Sequence, residues 1–380
     1  MAKLKFNVKD VLPQFLQVAS VVVQKNTMPI LDCINLETTK VNGNVALRLT
    51  ASDGETWVST IANIQADDDV CCCILANDII NGLSNLDDVD VEMSFDDKKK
   101  NVTCNYGNGF FVITYEDAST FPINKVDFGN ANEHEINSKA LLSYISTVSF
   151  ATNPDELRPV LNSIHFDFFK DKMVVVATDG QRLAKIADYG ISQNNEETNS
   201  LSLPTKPAQI LAKILSTVDD VVKCKFNDKS VVFYCDTFYL LARLIDWRYP
   251  NYEMVIPTTF NHIALVDKSS ILPAIKRVTP MGDANSKLIQ LKFEDGNIML
   301  KTENIEFGKK AEENVKCQYK DTPLTIWFKS TYLVQSINSI DCKTIRIKMV
   351  AQDRACVIEP ETNTSEVEHT RLVMPLRIEE

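Results

Sequence analysis

The stretch VVVATDGQRLAKIA, residues Val174–Ala187, decides the fold. Apolar and largely β-branched residues lead into Asp179-Gly180, and a second apolar run follows the pair. Such residues favour strands and Asp-Gly favours tight turns, so the stretch predicts two strands joined by a turn. A similar stretch ends in Asp53-Gly54, 126 positions earlier, and a weaker counterpart lies at Leu300–Asn304. The chain therefore contains three copies of one unit.

Length and composition bound the class of protein. With 380 residues the chain is too long for one ordinary domain, and 44% hydrophobic residues supply a substantial core. No apolar run of about 18 residues is present, and the first ten residues lack the apolar region of a signal peptide. The ten cysteines form no C-x-x-C pair. We therefore expect a cytoplasmic protein with reduced thiols and no membrane association.

The net charge of −11 argues against a protein that coats nucleic acid over its whole surface. It does not exclude a protein that holds its few positive charges on one inward surface. The distribution of charge separates these two cases, and the net charge does not.

Hydrophobic periodicity predicts the same order of elements in each copy. Leu12, Leu142 and Leu272 stand at matching points of three predicted helices, 130 residues apart. Each copy has two predicted helices and roughly eight strands, which predicts an α+β fold of three tandem units with mostly antiparallel sheets. The expected units are residues 1–126, 134–257 and 262–380. The helices are expected to begin at Asp10, near Asn77, and at Ser138, Thr205, Ser269 or Ser270, and Ser330.

Three segments resemble one family. VATDGQRLA at Val176–Ala184, LIDWRYPNY at Leu244–Tyr252 and LVMPLRI at Leu372–Ile378 resemble segments of the bacterial DNA sliding clamps, the β subunit of the replicative DNA polymerase III. The resemblance covers the whole chain, including its length and its three-fold repeat. It implies a head-to-tail homodimer closed into a ring of six similar domains, with helices lining the hole and sheets forming the outer wall.

The resemblance also implies function and partners. A clamp is a non-catalytic processivity factor without a cofactor, which encircles double-stranded DNA regardless of sequence. Its expected partners are the DNA polymerase III catalytic subunit, the clamp loader complex, and other replication and repair proteins that present short peptide motifs. An acidic outer surface with positive charge confined to the inner helices fits such a ring.

Two sets of site residues follow from the resemblance. The partner-peptide pocket is expected at Leu161, Thr178, Gly180, Gln181, Arg182, Leu183, Pro250, Met254, Val255, Leu372, Val373, Met374, Pro375, Leu376 and Arg377. The dimer interface is expected to join Phe111 and Ile113 to Thr279, Pro280 and Met281. The pocket set is largely apolar with a few polar groups, the composition of a peptide-accepting groove.

Basic residues at helix starts and on helix faces in all three copies are the candidates for DNA contact. They are Lys25, Lys139, Arg158, Lys206, Lys213, Lys268, Lys276, Arg277 and Lys329.

The chain departs from the family pattern at several positions. Gln181 stands where the family often has His, and Met254 stands where some members carry Arg. Pro159 and Val160 replace paired aromatic residues that touch DNA in some members. Glu379 and Glu380 extend beyond the usual terminus.

Other chemistry leaves weaker signals. Neither a G-x-x-x-x-G-K-[ST] loop nor a G-x-G-x-x-G motif is present, and the four histidines share no ligand spacing, so no metal site is expected. The alternative function is a metal-dependent nuclease or phosphotransferase that uses Asp53 and Asp179. Their equivalent positions in two repeats favour structural turns instead. A protein-interaction scaffold without DNA is the third hypothesis.

Overall fold

The computed structural model describes residues 2–23, 26, 28–155, 157–191, 199–364 and 366–377. The chain divides into two compact units. The first comprises residues 1–142 and 206–244, and the second comprises residues 143–205 and 245–380. All ten cysteines are free thiols. Among the described residues, no helix combines the length and the apolar character needed to cross a membrane.

Within the described residues, six α-helices follow the predicted order, two in each repeat. They are α1 Val8–Ala19, α2 Ala76–Ser84, α3 Ser138–Val148, α4 Thr205–Leu215, α5 Lys268–Val278 and α6 Ser330–Asn338. Each helix buries one apolar face: in α1, for example, Val11, Phe15 and Val18 are fully buried at helical spacing.

The predicted helix starts need correction at their caps. Asn7, and not Asp10, caps α1, because its side chain accepts from the backbone N–H of Lys9 at 3.0 Å. Asn137 does the same for α3, accepting from Lys139 N–H at 3.0 Å, whereas the Ser138 hydroxyl donates to the carbonyl of Val218. An Asn that ends a strand is well placed to accept from the following turn.

The hydroxyls of Thr205 and Ser330 make no hydrogen bond within the described part of the chain, so neither is a cap. Helix α5 begins at Lys268, one residue before the predicted pair of serines.

In the part of the first unit that the structure describes, 13 strands form one antiparallel sheet, in the order β10-β15-β16-β17-β4-β3-β2-β6-β9-β8-β7-β1-β5. Its strands are β1 Lys3–Asn7, β2 Cys33–Val41, β3 Asn44–Ser52, β4 Thr56–Asn63, β5 Gln65–Ala66, β6 Cys71–Leu75, β7 Asp90–Asp96, β8 Asn101–Tyr106, β9 Gly109–Asp117, β10 Glu133–Asn137, β15 Val221–Phe226, β16 Ser230–Tyr234 and β17 Phe238–Arg243.

The described residues of the second unit form two antiparallel sheets, in the orders β14-β11-β12-β13-β25-β24-β23-β18 and β21-β20-β19-β22. Their strands are β11 Ser163–Phe168, β12 Met173–Thr178, β13 Arg182–Asp188, β14 Asn199–Pro204, β18 His262–Asp267, β19 Leu288–Glu294, β20 Asn297–Asn304, β21 Lys309–Lys316, β22 Leu324–Lys329, β23 Thr344–Met349, β24 Cys356–Pro360 and β25 Val367–Val373. The predicted α+β fold with antiparallel sheets is confirmed.

Consecutive repeats are joined by the same kind of strand pairing. In the first unit, β17 of the second repeat pairs antiparallel with β4 of the first, with Ala242 opposite Thr56. In the second unit, β25 of the third repeat pairs antiparallel with β13 of the second, with Val373 opposite Arg182. In both cases the last strand of one repeat extends the strand that follows the central turn of the preceding repeat.

Candidate partner-binding site

The Asp179-Gly180 turn between β12 and β13 is held by side-chain hydrogen bonds. Asp179 Oδ1 accepts from the backbone N–H groups of Gln181 and Arg182, both at 2.9 Å. Thr178 Oγ1 donates to the carbonyl of Arg182 at 2.7 Å and accepts from Gly180 N–H at 3.1 Å. Gly180 has φ of 86°, a left-handed conformation that a residue with Cβ adopts at a cost.

The Asp53-Gly54 turn between β3 and β4 repeats this arrangement. Asp53 Oδ1 accepts from Glu55 N–H at 3.0 Å and from Thr56 N–H at 2.8 Å, and Gly54 has φ of 90°. The second carboxylate oxygen pairs with Lys206 Nζ, just as Asp179 Oδ2 accepts from Arg182 Nε at 3.0 Å. Both carboxylates are thus occupied by a turn and a cation, which argues against a metal-binding role.

The third turn departs from the other two. Leu300–Asn304 lies within β20, and Asn304 Oδ1 accepts from Phe307 N–H at 3.1 Å, as Asp53 and Asp179 accept from the residue three positions on. Asn304 therefore takes the place of the aspartate. Its strand partner is Lys309, so four residues, Ile305–Gly308, separate the pair, against two between Asp53 and Thr56.

Strand pairing brings the second turn to the C-terminal segment. Leu183 lies opposite Leu372 in the β13–β25 pair. Beyond the pair, Met374 N–H donates to the carbonyl of Gln181 at 2.8 Å, and Leu376 N–H donates to the carbonyl of Trp327 at 2.8 Å. Two of the three predicted pocket segments are thus in direct contact.

The third segment packs on the same face of the sheet. One apolar cluster contains the buried residues Val174, Val176, Leu183, Ala187, Tyr249, Tyr252, Ala355 and Leu372, with the partly buried Val160, Phe169, Ile256 and Met374 against it. The cluster joins the turn, the segment around residue 250 and the C-terminus.

A buried polar network holds the two tyrosines of this cluster in place. The His165 ring stacks on Tyr249 with centroids 4.3 Å apart, and its nitrogens contact Ser202 Oγ at 2.9 Å and Asp167 Oδ1 at 3.1 Å. Tyr252 donates its hydroxyl to Asp167 Oδ2 at 2.6 Å. Burial raises the pKa of both tyrosines, so their hydroxyls stay protonated. The network attaches the segment that contains Tyr249 and Tyr252 to strand β11.

Two predicted pocket residues lie on the opposite face of β13 and β25. Val373 belongs to the core of the third repeat. Arg182 is 8% exposed, and its guanidinium lies 5.3 Å from the Phe150 ring centroid and 4.6 Å from that of Tyr332. It also donates to Gln335 Oε1. Because side chains alternate along a strand, Leu183 and Arg182 cannot share a face.

The remaining predicted pocket residues surround the cluster. Met254 and Val255 are 82% and 54% exposed on the short helix Tyr252–Val255. Gly180, Gln181, Pro250 and Arg377 are exposed, Leu161, Thr178 and Leu376 are half-buried, and Pro375 is buried.

Ion pairs border this surface: Lys185 to Glu253 at 2.5 Å and Arg377 to Asp353 at 3.2 Å.

Sequence reasoning missed several members of the cluster. Tyr249 and Tyr252 stand inside a segment quoted for its resemblance, and their aromatic character was a usable signal. Val174 and Val176 share a face by strand alternation. Ala355 carries no sequence signal, because only tertiary packing brings it to the cluster.

The predicted DNA-binding residues differ in their surroundings. Lys139 pairs with Asp219 at 2.7 Å, Arg277 Nε donates to Glu313 at 3.1 Å, and Lys206 pairs with Asp53. Lys268 donates to the carbonyl of Asn338 at 3.3 Å, and Lys329 Nζ lies 4.9 Å from the Tyr332 ring centroid.

Arg158, Lys213 and Lys276 are exposed and form no ion pair with any described residue. Lys25, Glu379 and Glu380 lie outside the described residues.

The predicted interface residues lie beside an open strand edge. In β9, only residues 115–117 pair with β6, so within the described structure residues 109–114 pair on one side alone. Phe111 and Ile113 are half-buried on the helix side of this edge, where the Phe111 ring lies against Gly82. Residues Thr279–Met281 form a short 3₁₀ helix after α5, and Met281 is 42% exposed.

Three two-helix repeats joined sheet to sheet, with an apolar surface at the second junction, define the class of three-domain DNA-clamp folds. Residues 3–125, 135–251 and 253–377 match the N-terminal, central and C-terminal domains of the DNA polymerase III beta subunit. The chain belongs to this family. It is a sliding clamp, a non-catalytic processivity factor, and the predicted resemblance is confirmed.

Individual relatives are distant but extend along the chain. The beta sliding clamp of Synechococcus elongatus is 26% identical over 344 residues, which cover 88% of this chain and 89% of that protein. That of Haemophilus influenzae is 23% identical and covers 97% and 98%. The crystal structure of the C. crescentus beta sliding clamp has a TM-score of 0.91 and 24% identity, with 99% of each chain covered. The nuclease or phosphotransferase alternative finds no support.

Proposed function

We propose that two copies of this chain join head to tail into a closed ring of six repeats that encircles double-stranded DNA. The observation that carries this proposal is the repeated pairing rule. The last strand of a repeat pairs with the strand after the central turn of the repeat before it, at both junctions within the chain. The rule leaves one strand without a partner repeat at each end of the chain. Strand β9, the last strand of the first repeat, has no preceding repeat, and β21, which follows the turn of the third repeat, has no following repeat.

The free strands have edges suited to this pairing. Strand β21 is the end strand of its sheet, and β9 is open along residues 109–114. Carrying over the register of the two observed junctions sets Gly308 opposite the partner's Thr114 and Ala311 opposite the partner's Phe111. An edge that pairs with a second copy no longer exposes unpaired backbone groups. A heterologous contact of this kind closes a ring when its rotation allows it.

The same register places the predicted interface residues together. Glu313, two residues after Ala311 on β21, pairs with Arg277 at the end of α5, so Ala311 faces the helix side of its sheet. Phe111 and Ile113 also face the helix side of their sheet. The pairing therefore brings them toward Thr279, Pro280 and Met281 of the other protomer.

Charge supports helices as the DNA-facing surface. The six helices carry seven basic and two acidic residues, whereas the whole chain has a net charge of −11. Positive charge confined to helices provides sequence-independent contacts to phosphate. Arg158, Lys213 and Lys276 are the strongest candidates, because no described carboxylate neutralises them.

The apolar cluster at the second junction is the proposed site for partner peptides. Leu183, Leu372 and Met374 offer an apolar floor, and exposed Met254 extends it. We expect a short extended peptide with a Gln and two apolar side chains. The DNA polymerase III catalytic subunit, the clamp loader and other replication and repair proteins would present it in turn, in the cytoplasm.

Three domains at 1–126, 134–257 and 262–380 are part of this proposal. Sedimentation equilibrium of the intact chain tests the proposed dimer. A particle of twice the 42.8-kDa chain mass supports the dimer, and a monomer at micromolar concentration contradicts it.

A further inference from the structure

The turn between β20 and β21 exposes two large apolar side chains. Ile305 is 87% exposed and Phe307 is 66% exposed. The turn is nonetheless ordered by a hydrogen bond from Phe307 N–H to Asn304 Oδ1 at 3.1 Å. A turn that projects two large apolar side chains into solvent is typical of an interaction site.

The equivalent turns show what such side chains contact. At the first junction, Asp53 at turn position one pairs with Lys206 at the start of α4 in the next repeat. Glu55 at turn position three pairs with Arg243, the residue just past the paired segment, at 3.3 Å. Turn residues of one repeat therefore reach the next repeat across the junction.

Structural equivalence carries these contacts to the third turn. Asn304 corresponds to Asp53, and the longer stretch Ile305–Gly308 takes the place of Gly54-Glu55, so the third turn projects further than the other two. On the receiving side, Asn77 in α2 corresponds to Lys206 in α4, and Thr114 corresponds to Arg243. The projecting part of the third turn thus carries the exposed apolar Ile305 and Phe307 in the region where the first junction has the ion pair of Glu55 with Arg243.

An apolar pocket occupies the matching place in the first repeat. A cavity of about 260 Å³ lies between the loop before β2, the end of β6 and the end of β9. Its wall includes Ile30, Leu75, Thr114 and Glu116, with the buried Cys33 behind them. A cavity of about 150 Å³ accepts benzene, so this one has room for an aromatic side chain. Leu75 is 40% exposed and directly precedes α2.

We infer that the Ile305–Phe307 turn of one protomer inserts into this pocket on a second copy of the chain. The inference rests on the proposed head-to-tail dimer, since the strand register sets Gly308 beside the partner's Thr114. It adds an apolar anchor to the paired strand edges. Ile305 meets the partner's Leu75 and Asn77, and Phe307 fills the cavity beside the partner's Glu116.

The test introduces an ion pair at this interface. Ile305→Asp alone should raise the dimer dissociation constant at least about tenfold, a change typical of losing an apolar anchor. Adding Asn77→Lys, at the position equivalent to Lys206, should give the new carboxylate a cation to pair with and recover part of that loss. Leu157→Ala, at an 89% exposed position elsewhere, is the control and should change nothing. An unchanged constant for Ile305→Asp, or no recovery with Asn77→Lys, overturns the inference.

A cross-link separates this inference from the dimer on which it rests. The register sets Lys310 opposite the partner's Val112, within disulfide reach for facing residues of antiparallel strands. Lys310→Cys with Val112→Cys should give a covalent dimer, and Lys310→Cys with Thr114→Cys should not. The unsubstituted chain, with its exposed Cys71, is the blank. Cross-linking without an Ile305→Asp effect refutes the inserted turn alone, and failure of both refutes the head-to-tail dimer.

Discussion

The backbone N–H of Met374 donates to the carbonyl oxygen of Gln181 at 2.8 Å, which ties the C-terminal segment to the central turn of the preceding repeat. At the first junction, the equivalent hydrogen bond runs from Arg243 N–H to the carbonyl oxygen of Glu55 at 3.0 Å. Both junctions are therefore built alike, yet only the second adds a C-terminal segment to the turn. That addition creates the apolar surface proposed for partners.

The first prediction concerns peptide binding. Leu183→Ala with Met374→Ala should weaken binding of a polymerase-derived peptide at least about tenfold, or about 1.4 kcal/mol, because two apolar side chains leave the proposed floor. Calorimetric titration measures the affinity. Ile263→Ala, on the edge strand β18 of the same sheet, is the matched control. Unchanged affinity in the double variant would place the site elsewhere.

The second prediction concerns the dimer. Phe111→Ala with Ile113→Ala should yield folded monomers, since both side chains lie on the helix side of the open β9 edge. The Phe111 ring also packs on Gly82, so the thermal midpoint should fall somewhat while the far-ultraviolet circular dichroism is retained. Sedimentation at low micromolar concentration decides the matter, and a persistent dimer rules out this interface.

The third prediction concerns a buried arginine. Arg371 is fully buried, and it donates from Nε to Ser339 Oγ at 2.8 Å and from Nη1 to the Lys185 carbonyl at 3.1 Å. Ser339 is the C-cap of α6, so the guanidinium also meets the negative end of a helix.

Arg371→Ala should lower the free energy of unfolding by about 3 kcal/mol, because it leaves a cavity and unpaired carbonyl groups. Urea denaturation measures this. Arg48→Ala, which removes an exposed ion pair with Glu37, should cost under about 1 kcal/mol. Equal effects would contradict the role assigned to burial.

The fourth prediction concerns pH. Burial, together with the nearby Arg371, lowers the pKa of His369 from 6.5 to about 4. The unfolded chain therefore binds a proton more readily between these values, and stability falls as pH drops from about 6.5 toward 4. In His369→Asn this contribution is absent, so the difference in thermal midpoint between wild type and variant should shift with pH across that window. A constant difference would contradict the assignment.

The sequence predicted the turns and the two-helix repeats because their signals are local. Asp53 and Asp179 each close a turn with their own carboxylate, and Asp-Gly spacing reports this directly. The apolar segments around Leu183 and Leu372 were also found, through resemblance.

Non-local features were out of reach. The pairing of β17 with β4 has no sequence signature, because neither strand contains a residue pattern that specifies which strand it pairs with. The place of Arg182 depends on rings from Phe150 and Tyr332, which only the folded unit supplies. The caps of α1 and α3 differ from the prediction because Asn7 and Asn137 each end a strand and also accept a hydrogen bond from the first turn of the helix that follows.

The most direct test of the central claim is retention on circular DNA. The clamp loader of the same organism, with ATP, loads the protein onto a nicked circular plasmid. Gel filtration then separates plasmid-bound from free protein, at a salt concentration that abolishes binding to short linear duplexes. Phosphate contacts are lost at such salt, whereas enclosure is not. We predict that the protein stays on the circle and leaves once the plasmid is linearised. Equal loss from circular and linear DNA would contradict a ring that encircles the duplex.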